Sequence, residues 1–289
     1  MNALNARIAL VASDRESGAS EVLEEVIAIL REALVSGVPM LPIARAVCRA
    51  QPAMASVWNA ALEVLAPDRA SERLETFAQR VARGPDALVR FGSELFLADA
   101  GPLRLVTMSF SRSVVTLLEA MAIGREVRIS CSESRPALEG RRLASRLASS
   151  GIVVTCFSDA AIGQALGVAD GMIVGADAVA SDWFLNKSGT RMLAAAAGQQ
   201  GVPVYVVATR DKFVGHGVAA RLAMREGAPE DVWESPPAGV TVRNPYFEPV
   251  PLELVTSLIT DLGLLGSGMA AEVCDAVGRE QPPDLIEKL

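Results

Sequence analysis

The fold is decided by residues 151–190, which read GIVVTCFSDAAIGQALGVADGMIVGADAVASDWFLNKSGT. Two apolar runs in this stretch, residues 151–156 and 171–174, each end in a small polar turn. Ser158 and Asp159 follow the first run, and Gly175-Ala176-Asp177 follows the second. Open α/β sheets form their ligand crevice from turns of this kind, at the carboxyl ends of parallel strands. We therefore expect a parallel sheet with a binding site at that edge.

Two amide-rich turns before predicted helices are candidate anion sites. Asn186 and Lys187 precede an alanine-rich segment, and Ser17, Gly18 and Ala19 precede the first long helical pattern. Free backbone amides and the positive end of the helix dipole favour anions at such positions. A lysine normally favours the opposite end of a helix, so its presence here indicates a bound phosphate. The 17–19 turn has the alternative interpretation of a routine helix start.

Strand and helix patterns alternate through the second half of the chain. Apolar runs lie at residues 103–108, 126–131, 151–157, 171–174 and 203–208. Helical patterns lie between them, at residues 113–123, 138–150, 160–166 and 188–199. Short connections between such units favour parallel strands joined by right-handed crossovers. The fold class is therefore α/β.

The first third of the chain has only helical patterns. A helix is predicted after Ser20, where apolar residues recur at helical spacing until Gly37 and Pro39 end it. Further helices are predicted at 41–50, 53–65 and 69–83. We thus predict a helical N-terminal domain over residues 1–99 and an α/β domain over residues 100–289. Residues 1–16 are expected to be partly extended, 252–261 to form a final helix, and 276–289 to be poorly ordered.

Composition excludes several classes of function. The 289 residues carry a formal net charge of −7, which argues against a broad nucleic-acid interface, so no direct nucleic-acid partner is expected. One histidine and four scattered cysteines do not make a zinc site, and we expect neither a metal nor a cofactor. No apolar span of membrane length is present. Sparse cysteines and the absence of a leader pattern predict a cytoplasmic protein without a membrane partner.

A series of motifs gives the second half a family resemblance. The motifs occur in one order: SESRP at 132–136 with Gly140, VT at 154–155, GAD at 175–177, NKSGT at 186–190 and NPYFEPVP at 244–251. The series resembles the family of translation initiation factor 2B alpha, beta and delta subunits. That family includes the enzymes methylthioribose-1-phosphate isomerase and ribose-1,5-bisphosphate isomerase. The resemblance covers roughly residues 100–265.

The resemblance implies a Rossmann-like sheet domain preceded by a helical N-terminal domain, and a homodimer or higher homo-oligomer. It also implies a site for a phosphorylated sugar or nucleotide at the carboxyl ends of the strands. In the isomerases, a cysteine after the first strand and an aspartate in the Gly-Ala-Asp turn perform acid–base chemistry. The aspartate matches Asp177, and Ser109 occupies the cysteine position. Residues 107–112 (TMSFSR) are more similar to the non-catalytic alpha subunits.

The exchange of cysteine for Ser109 bears directly on catalysis. A thiol, with a pKa of about 8.5, exchanges protons near neutral pH, whereas a serine hydroxyl needs an activating base. The single histidine, His216, is distant in sequence. Cys131, at the end of the second predicted strand, is a candidate substitute thiol, with a small core residue as the alternative. Asp177 itself has the alternative role of capping its turn.

Arginines near the second strand are the remaining phosphate candidates. Arg135 precedes Pro136, which favours an extended backbone at the strand end, and a planar guanidinium suits a phosphate. The alternative for Arg135 is an exposed salt bridge. Gly140 belongs to the same motif. The neighbouring Arg141 and Arg142 are expected on a solvated helix face.

Two functions stay open at this point. The first is an isomerase of a pentose 1-phosphate, with Asp177 and either Ser109 or Cys131 as proton-transfer groups. The second is a non-catalytic protein that binds the same ligand, or that acts through subunit contacts as the initiation factor subunits do. A dehydrogenase is disfavoured, because the GxGxxA-like string at 215–220 follows no apolar strand directly and no ribose-binding acid is evident.

Overall fold

The computed structural model of the protein describes residues 2–14, 18–66, 68–96, 101–224 and 226–289. Its N-terminal part is helical, as predicted, with helices α1 (Asn2–Ser13), α2 (Ala19–Val35), α3 (Met40–Ala50), α4 (Ala55–Leu65) and α5 (Ala70–Leu95). The expectation of an extended start is wrong. Leu4, Ile8 and Val11 recur at helical spacing along α1 and are buried against the other helices.

Helix α5 is longer than the sequence predicts. The sequence predicts an end at residue 83, and Gly84 and Pro85 follow, of which the proline removes one helical hydrogen bond. The helix nevertheless continues to Leu95. Tertiary packing compensates for the proline, since Leu88 and Gly92 are buried. A Cβ on Gly92 would lie 2.7 Å from Cδ1 of Leu117, so the two helices meet at a close contact.

The second half contains a seven-stranded sheet in the order β10-β9-β7-β4-β1-β2-β3. Its strands are β1 (Leu103–Thr107), β2 (Val127–Ser132), β3 (Val153–Phe157), β4 (Gly171–Gly175), β7 (Val204–Val207), β9 (Ser257–Thr260) and β10 (Gly263–Leu265). Strands β3, β2, β1, β4, β7 and β9 are parallel, and β10 joins antiparallel at the edge. The fold class is confirmed: a mostly parallel sheet follows a helical N-terminal part.

A second, antiparallel sheet is missing from the sequence-based prediction. It has the order β5-β6-β8 and consists of β5 (Ala178–Val179), β6 (Trp183–Lys187) and β8 (Phe247–Pro251). Lys187 therefore ends a strand and is not the first residue of a helix. The alanine-rich helix α8 (Thr190–Gln199) begins after Gly189, whose φ of 101° needs a glycine.

The remaining helices cover the sheets. They are α6 (Arg112–Ala122), α7 (Glu139–Ser149), α9 (His216–Ala219), α10 (Ser267–Glu280) and α11 (Pro283–Lys288). Short 3₁₀ turns lie at Ile162–Val168 and Arg210–Lys212, among other places. The two faces of the large sheet carry separate apolar clusters, one including α6 and α7 and the other including α8 and α10.

The helix predicted at 252–261 is wrong, because the segment consists of a short 3₁₀ turn, Leu252–Leu254, followed by strand β9. Val206 pairs with Leu258 and Val207 with Ile259 in the parallel register. A short apolar run does not by itself distinguish a strand from a buried helix. Pairing with a strand some fifty residues earlier in sequence decides the conformation here.

The C-terminal segment is ordered, contrary to expectation. Residues 276–280 complete α10, and α11 places Leu285 and Ile286 in the same apolar cluster as the N-terminal helices. The cluster also contains Leu185 of β6, so the helical part packs directly on the second half of the chain. The predicted boundary between residues 99 and 100 lies outside the described residues.

The large sheet has a topological switch point between β1 and β4. From β1 the chain adds β2 and β3 on one side and then β4 and β7 on the other. Loops after β1 and β4 consequently diverge and leave a crevice at their carboxyl ends. This places the segments after Thr107 and after Gly175 on opposite sides of one cleft. In the described ranges, no helix is long and apolar enough to cross a membrane.

The buried position of α11 generates a stability prediction. Leu285→Ala removes a side chain that is 7 % exposed, and the expected loss is about 2–4 kcal/mol in the free energy of unfolding. Glu287→Ala, an exposed change on the same helix, is the matched control and should alter stability by less than about 0.5 kcal/mol. Urea unfolding measures both. Equal and small effects would show that α11 does not contribute to the core.

Candidate functional site

Ser109 follows β1 on one side of the cleft. Its φ is 61°, a left-handed conformation that few residues other than glycine adopt. Its backbone N–H donates to Oγ of Ser134 at 2.8 Å. The Ser134 hydroxyl also lies 3.0 Å from Oγ of Ser132 at the end of β2. The conformation of Ser109 is therefore maintained by the neighbouring strand end.

Asp159, which follows β3, fixes the turn after β2. Its carboxylate accepts the backbone N–H groups of Ser134 and Arg135, both at 2.7 Å. Hydrogen bonds from two backbone amides to a charged acceptor are among the stronger ones in proteins. The ends of β1, β2 and β3 are thus joined by a continuous series of hydrogen bonds from Asp159 through Ser134 to Ser109.

Asp177 lies on the other side of the cleft, between β4 and β5. Its backbone N–H donates to Leu185 at 2.8 Å and its carbonyl accepts from Ala55 of α4 at 3.1 Å. The residue is half-buried, and no hydrogen bond from the described residues reaches its carboxylate. Burial raises the pKa of Asp177, the positive charge of Lys212 opposes this, and the negative charge of Glu139 adds to it.

Lys212 is the main site residue that the sequence did not reveal. It ends the 3₁₀ turn Arg210–Lys212 after β7, and it is 6 % exposed. Within the described part of the chain, no hydrogen bond or ion pair engages its ammonium group, which faces the cleft that contains Asp177. One signal was present: a lysine follows closely after an apolar run, where strand ends carry ligand contacts.

Arg142 lies on the exposed face of α7, as predicted, and its side chain also reaches the cleft. Its guanidinium stacks over the ring of Phe110 at 4.4 Å and lines the cleft. Its neighbour Arg141 instead pairs with Glu133 at 2.6 Å, outside the cleft wall. Both arginines are exposed, as predicted, and they contact different neighbours because successive residues do not share a face of a helix.

The start of α2 forms the N-terminal wall of the cleft, with Gly18 and Ala19 in it. The Gly18 N–H donates to the Glu21 carboxylate at 2.8 Å, and Arg112 of α6 donates to the same carboxylate at 2.7 Å. Chiefly the hydrogen bond from Arg112, and then that from Gly18, lowers the pKa of Glu21. An anion bound here would have to replace Glu21 at this amide. Ser17, predicted with this turn, lies outside the described residues.

Lys187 lies behind the cleft wall. Its ammonium is 3.2 Å from Oε1 of Glu139 and 3.4 Å from the centre of the Tyr246 ring, and its side chain is 3 % exposed. Burial lowers the pKa of Lys187, against the attraction of Glu139. The other Glu139 oxygen, Oε2, is buried without a partner among the described residues. Glu139 and Tyr246 both line the cleft, so Lys187 contacts the residues of the cleft wall without lining the cleft itself.

Three further predicted residues have distinct positions. Asn186 lines the cleft and donates to Oγ1 of Thr190 at 3.0 Å. Arg135 is exposed and lies outside the cleft wall. Gly140 donates its N–H to the Glu133 carbonyl at 3.2 Å, and its backbone touches the end of β2. A Cβ at Gly140 would lie 1.7 Å from the Ser132 carbonyl oxygen, so this close approach requires glycine.

The cleft brings together groups from widely separated parts of the chain. It encloses about 620 Å³ of space between protein atoms, part of it open to solvent. Its polar and charged wall residues include Ser109, Arg112, Glu139, Arg142, Asp177, Asn186, Lys212 and Tyr246. Gly175 lets the Ser111 side chain approach the backbone of the cleft wall closely, because a Cβ at Gly175 would lie 2.5 Å from Oγ of Ser111. Acid–base groups and cations thus surround one small polar cavity.

Residues 2–267 match the sequence profile of the Initiation factor 2 subunit family. The chain belongs to this family. The match extends over both the helical part and the sheet, so the resemblance noted in the second half applies to nearly the whole chain.

Relatives within the family have different names. A putative methylthioribose-1-phosphate isomerase of Archaeoglobus fulgidus is 34% identical over 56% of the chain and 50% of its own length. A putative translation initiation factor eIF-2B subunit 2-like protein of Pyrococcus furiosus is 30% identical over 78% of the chain and 80% of its own length. Ribose 1,5-bisphosphate isomerase of Methanocaldococcus jannaschii is 28% identical over 68% of the chain and 65% of its own length. The matched region therefore spans about half of the first relative.

Solved structures agree on the fold. Translation initiation factor eIF-2B of Pyrococcus horikoshii OT3 superposes with a TM-score of 0.79 at 25% identity, over 92% of this chain and 98% of that one. The tetrameric eIF2B-beta2-delta2 complex of C. thermophilum contains a chain with a TM-score of 0.72 at 17% identity, over 95% of this chain and 94% of that one. At that identity the likeness concerns the fold alone.

In the described ranges, no group of three or more histidine, cysteine, aspartate or glutamate side chains is placed to hold a metal ion. Proton transfer by side chains is the chemistry that the wall residues offer. Asp177 and Lys212 are oppositely charged residues of the cavity wall, and neither side chain has a hydrogen-bonding partner in the described ranges.

The close contact at Gly140 generates a test of the site's framework. Gly140→Ala would force the Ser132 carbonyl away, and we expect a loss of about 2–3 kcal/mol in the free energy of unfolding, typical of overpacking. Gly124→Ala is the matched control, since no atom lies within 4 Å of the added Cβ. Denaturant unfolding of the two variants measures the difference. A Gly140→Ala protein as stable as the control would mean that α7 and β2 separate easily.

The raised pKa of Asp177 gives a pH-dependent prediction. Because its pKa is higher in the folded than in the unfolded state, the ionised carboxyl destabilises the fold as the pH rises through the folded-state value. Asp177→Asn cannot ionise, so its melting temperature should exceed that of the wild type at mildly alkaline pH. The difference should narrow as the pH falls toward about 4, the ordinary pKa of aspartate.

Thermal melts across pH measure this effect, with the exposed Asp182→Asn as the control. The control should show no such pH-dependent gain. A melting temperature of Asp177→Asn that stays below the wild-type value at alkaline pH would contradict the burial argument, and would indicate that attraction to Lys212 dominates.

Proposed function

We propose that this protein binds a phosphorylated sugar or nucleotide in the cleft between Ser109 and Asp177. We further propose that the cleft supports the interconversion of an aldose 1-phosphate and a ketose phosphate. One observation supports this most strongly: the carboxylate of Asp177 and the ammonium of Lys212 face the same cavity without hydrogen-bonding partners in the described ranges. Asp177 follows β4 at the topological switch point, where open α/β sheets bind their ligands, and Lys212 follows the neighbouring strand β7.

The charges of the wall suit such a ligand. Lys212 and Arg142 supply positive charge for a phosphate, and the unpartnered Oε2 of Glu139 supplies an acceptor for a sugar hydroxyl. Membership of a family with relatives named as isomerases of ribose 1,5-bisphosphate and methylthioribose 1-phosphate supports the same ligand class. Lys187 and Asn186 are the residues that the sequence predicts for phosphate binding. Lys187 would bind a phosphate in the cleft only after its ion pair with Glu139 breaks.

Aldose–ketose conversion needs proton transfer and no co-reactant. The net change moves the C2 hydrogen to C1 and breaks the bond between C1 and the ring oxygen. That oxygen takes the proton of the C2 hydroxyl, which becomes a carbonyl. A general acid or base is most effective when its pKa lies near the working pH. Burial shifts Asp177 in that direction, so Asp177 is the residue that we assign to donate and accept the proton. Lys212 would stabilise negative charge that develops on the sugar oxygen.

A second candidate is a non-catalytic ligand-binding or subunit-interaction protein. The observation that favours it is Ser109, whose hydroxyl has no hydrogen bond to a base among the described residues and whose backbone N–H donates to Oγ of Ser134. A site with one strong proton-transfer group instead of two would bind the ligand and signal that it is bound, without converting it to product. Assembly into a homo-oligomer is part of both proposals, and a neighbour described as a tetrameric eIF2B complex supports it.

A binding experiment tests what both candidates share. Ribose 1,5-bisphosphate, methylthioribose 1-phosphate and AMP are added to the protein, and melting temperature and calorimetric affinity are measured. At least one should raise the melting temperature. Lys212→Met should weaken that ligand by about 10- to 100-fold, since a hydrogen bond to a charged group contributes about 1.5–3 kcal/mol. Lys288→Met, at an exposed lysine, is the control and should bind normally.

Arg142→Gln and Arg141→Gln form a second pair of variants, because both arginines are exposed on one helix and only Arg142 lines the cleft. We expect weaker binding in the first variant alone. If no ligand stabilises the wild type at millimolar concentration, the binding proposal is wrong. If ligands bind but both pairs behave alike, binding occurs outside this cleft.

A turnover experiment separates the two candidates. Each bound ligand is incubated in D₂O, and NMR detects a ketose product or deuterium at the carbon that accepts hydrogen. An isomerase should form product, and Asp177→Asn should lower the rate by about 100-fold or more, as loss of a general acid–base group does. Binding without product in the wild type would favour the regulatory candidate. Turnover that persists unchanged in Asp177→Asn would remove our role for Asp177.

A further inference from the structure

Two cysteines outside the proposed chemistry are paired across neighbouring strands. Cys131 of β2 and Cys156 of β3 are partners in the parallel register, between the pairs Ser130–Thr155 and Ser132–Phe157. Both are free thiols. Side chains of registered residues in a parallel pair point to the same face of the sheet. The two sulfur atoms are therefore neighbours on one face.

Backbone spacing of this pair is compatible with a disulfide. Adjacent strands lie about 4.7–4.9 Å apart, and disulfides join Cα atoms that are about 4.4–6.8 Å apart. On this face the Cys131 Sγ lies 3.8 Å from the Gly140 carbonyl at the start of α7. A bond to Cys156 requires rotation of side chains and a small adjustment, without separation of the strands.

The two thiols differ in access, which sets an order of reaction. Cys131 is fully buried, whereas Cys156 is exposed because β3 is the edge strand of the sheet. Burial raises the pKa of Cys131 to about 12, with the Cys156 thiol adding to the effect. A solvent-borne oxidant therefore meets Cys156 first. An exposed thiol beside a second, protected thiol is the arrangement of peroxide-sensitive dithiols.

We propose that Cys131 and Cys156 form a reversible intramolecular disulfide when a peroxide reaches the edge of β3. The site is a modification site separate from the cleft, and the inference does not rest on the proposed function. Its bond would join β2 and β3 immediately before the turns that carry Ser134 and Asp159. Oxidation thus acts on the strand ends that hold Ser109 in place.

The reaction balances with peroxide as the only oxidant. The Cys156 sulfur attacks one peroxide oxygen, the O–O bond breaks, and the leaving hydroxide takes a proton to become water. Cys156 is then a sulfenic acid. The Cys131 sulfur attacks the Cys156 sulfur, the S–O bond breaks, and the hydroxide leaves as water with the Cys131 proton. Two thiols lose two electrons in total, and one peroxide yields two waters.

The proposal is tested by oxidising the folded, full-length protein and then analysing its peptides by mass spectrometry. The reduced protein is treated with hydrogen peroxide, blocked with N-ethylmaleimide and digested without reductant. We expect two of the four thiols per chain to be lost, a linked Cys131–Cys156 peptide, and full recovery with dithiothreitol. Cys48 and Cys274 are buried elsewhere and serve as internal controls. Both should stay reduced during the peroxide treatment and should react with maleimide only after the protein is unfolded.

Two variants sharpen the result. Cys156→Ser should keep Cys131 reduced, because the thiol that meets the oxidant is gone. Cys131→Ala should drive Cys156 to sulfinic acid, which dithiothreitol does not reverse, since no resolving thiol remains. Wild-type protein that forms sulfinic acid at Cys156, or disulfides between chains, without the linked peptide would overturn the proposal. Loss of Cys48 and Cys274 at the same rate would overturn it too, since unfolding would then explain the oxidation.

Discussion

Compensation of buried charge is the constraint on which the cleft depends. Asp177, Glu139, Lys187 and Lys212 bring two negative and two positive charges into or directly behind its wall, yet only Glu139 and Lys187 are in contact. Removing an ion from water costs several kcal/mol unless other charges and hydrogen bonds compensate. Burial raises the pKa of Asp177 and lowers that of Lys187, and opposite charges act against both shifts. As a result, the side chains of Asp177 and Lys212 have no hydrogen-bonding partner among the described residues and can bind a ligand in the cavity.

The sequence was most informative where a short apolar run ends in glycine or polar residues. The starts and ends of β1, β4 and β7 follow such runs closely, since these parallel strands are largely buried and are bounded by turns. It was least informative where distant segments decide the structure. The apolar run of β9 is compatible with either a strand or a buried helix, and its pairing with β7 makes it a strand. The β5-β6-β8 sheet likewise depends on contacts between residues 178–187 and 247–251.

The same division holds for the cleft. Asp177, Ser109, Gly18, Ala19 and Asn186 could be selected from motif and strand-end position, and all of them line one cavity. Their positive neighbours could not be selected in this way. Lys212 comes from a turn with no helical or strand periodicity, and Arg142 is distinguished from Arg141 only by the direction of its side chain on α7. Which cation faces a cavity is a property of packing, and a sequence pattern carries little of it.

Helix α4 links the helical part to the chemistry of the cleft. The Ala55 N–H at its start donates to the Asp177 carbonyl at 3.1 Å, and Asn59 donates to the carbonyls of Asp211 and Phe213 at 2.7 and 3.0 Å. The loops that carry Asp177 and Lys212 are thus attached to the same buried helix. Because α4 is buried along most of its length, a shift of either loop would leave its buried polar groups without partners, at about 1–3 kcal/mol for each. The N-terminal helices therefore fix the relative position of the two groups that face the cavity, and the sheet alone would not define the site.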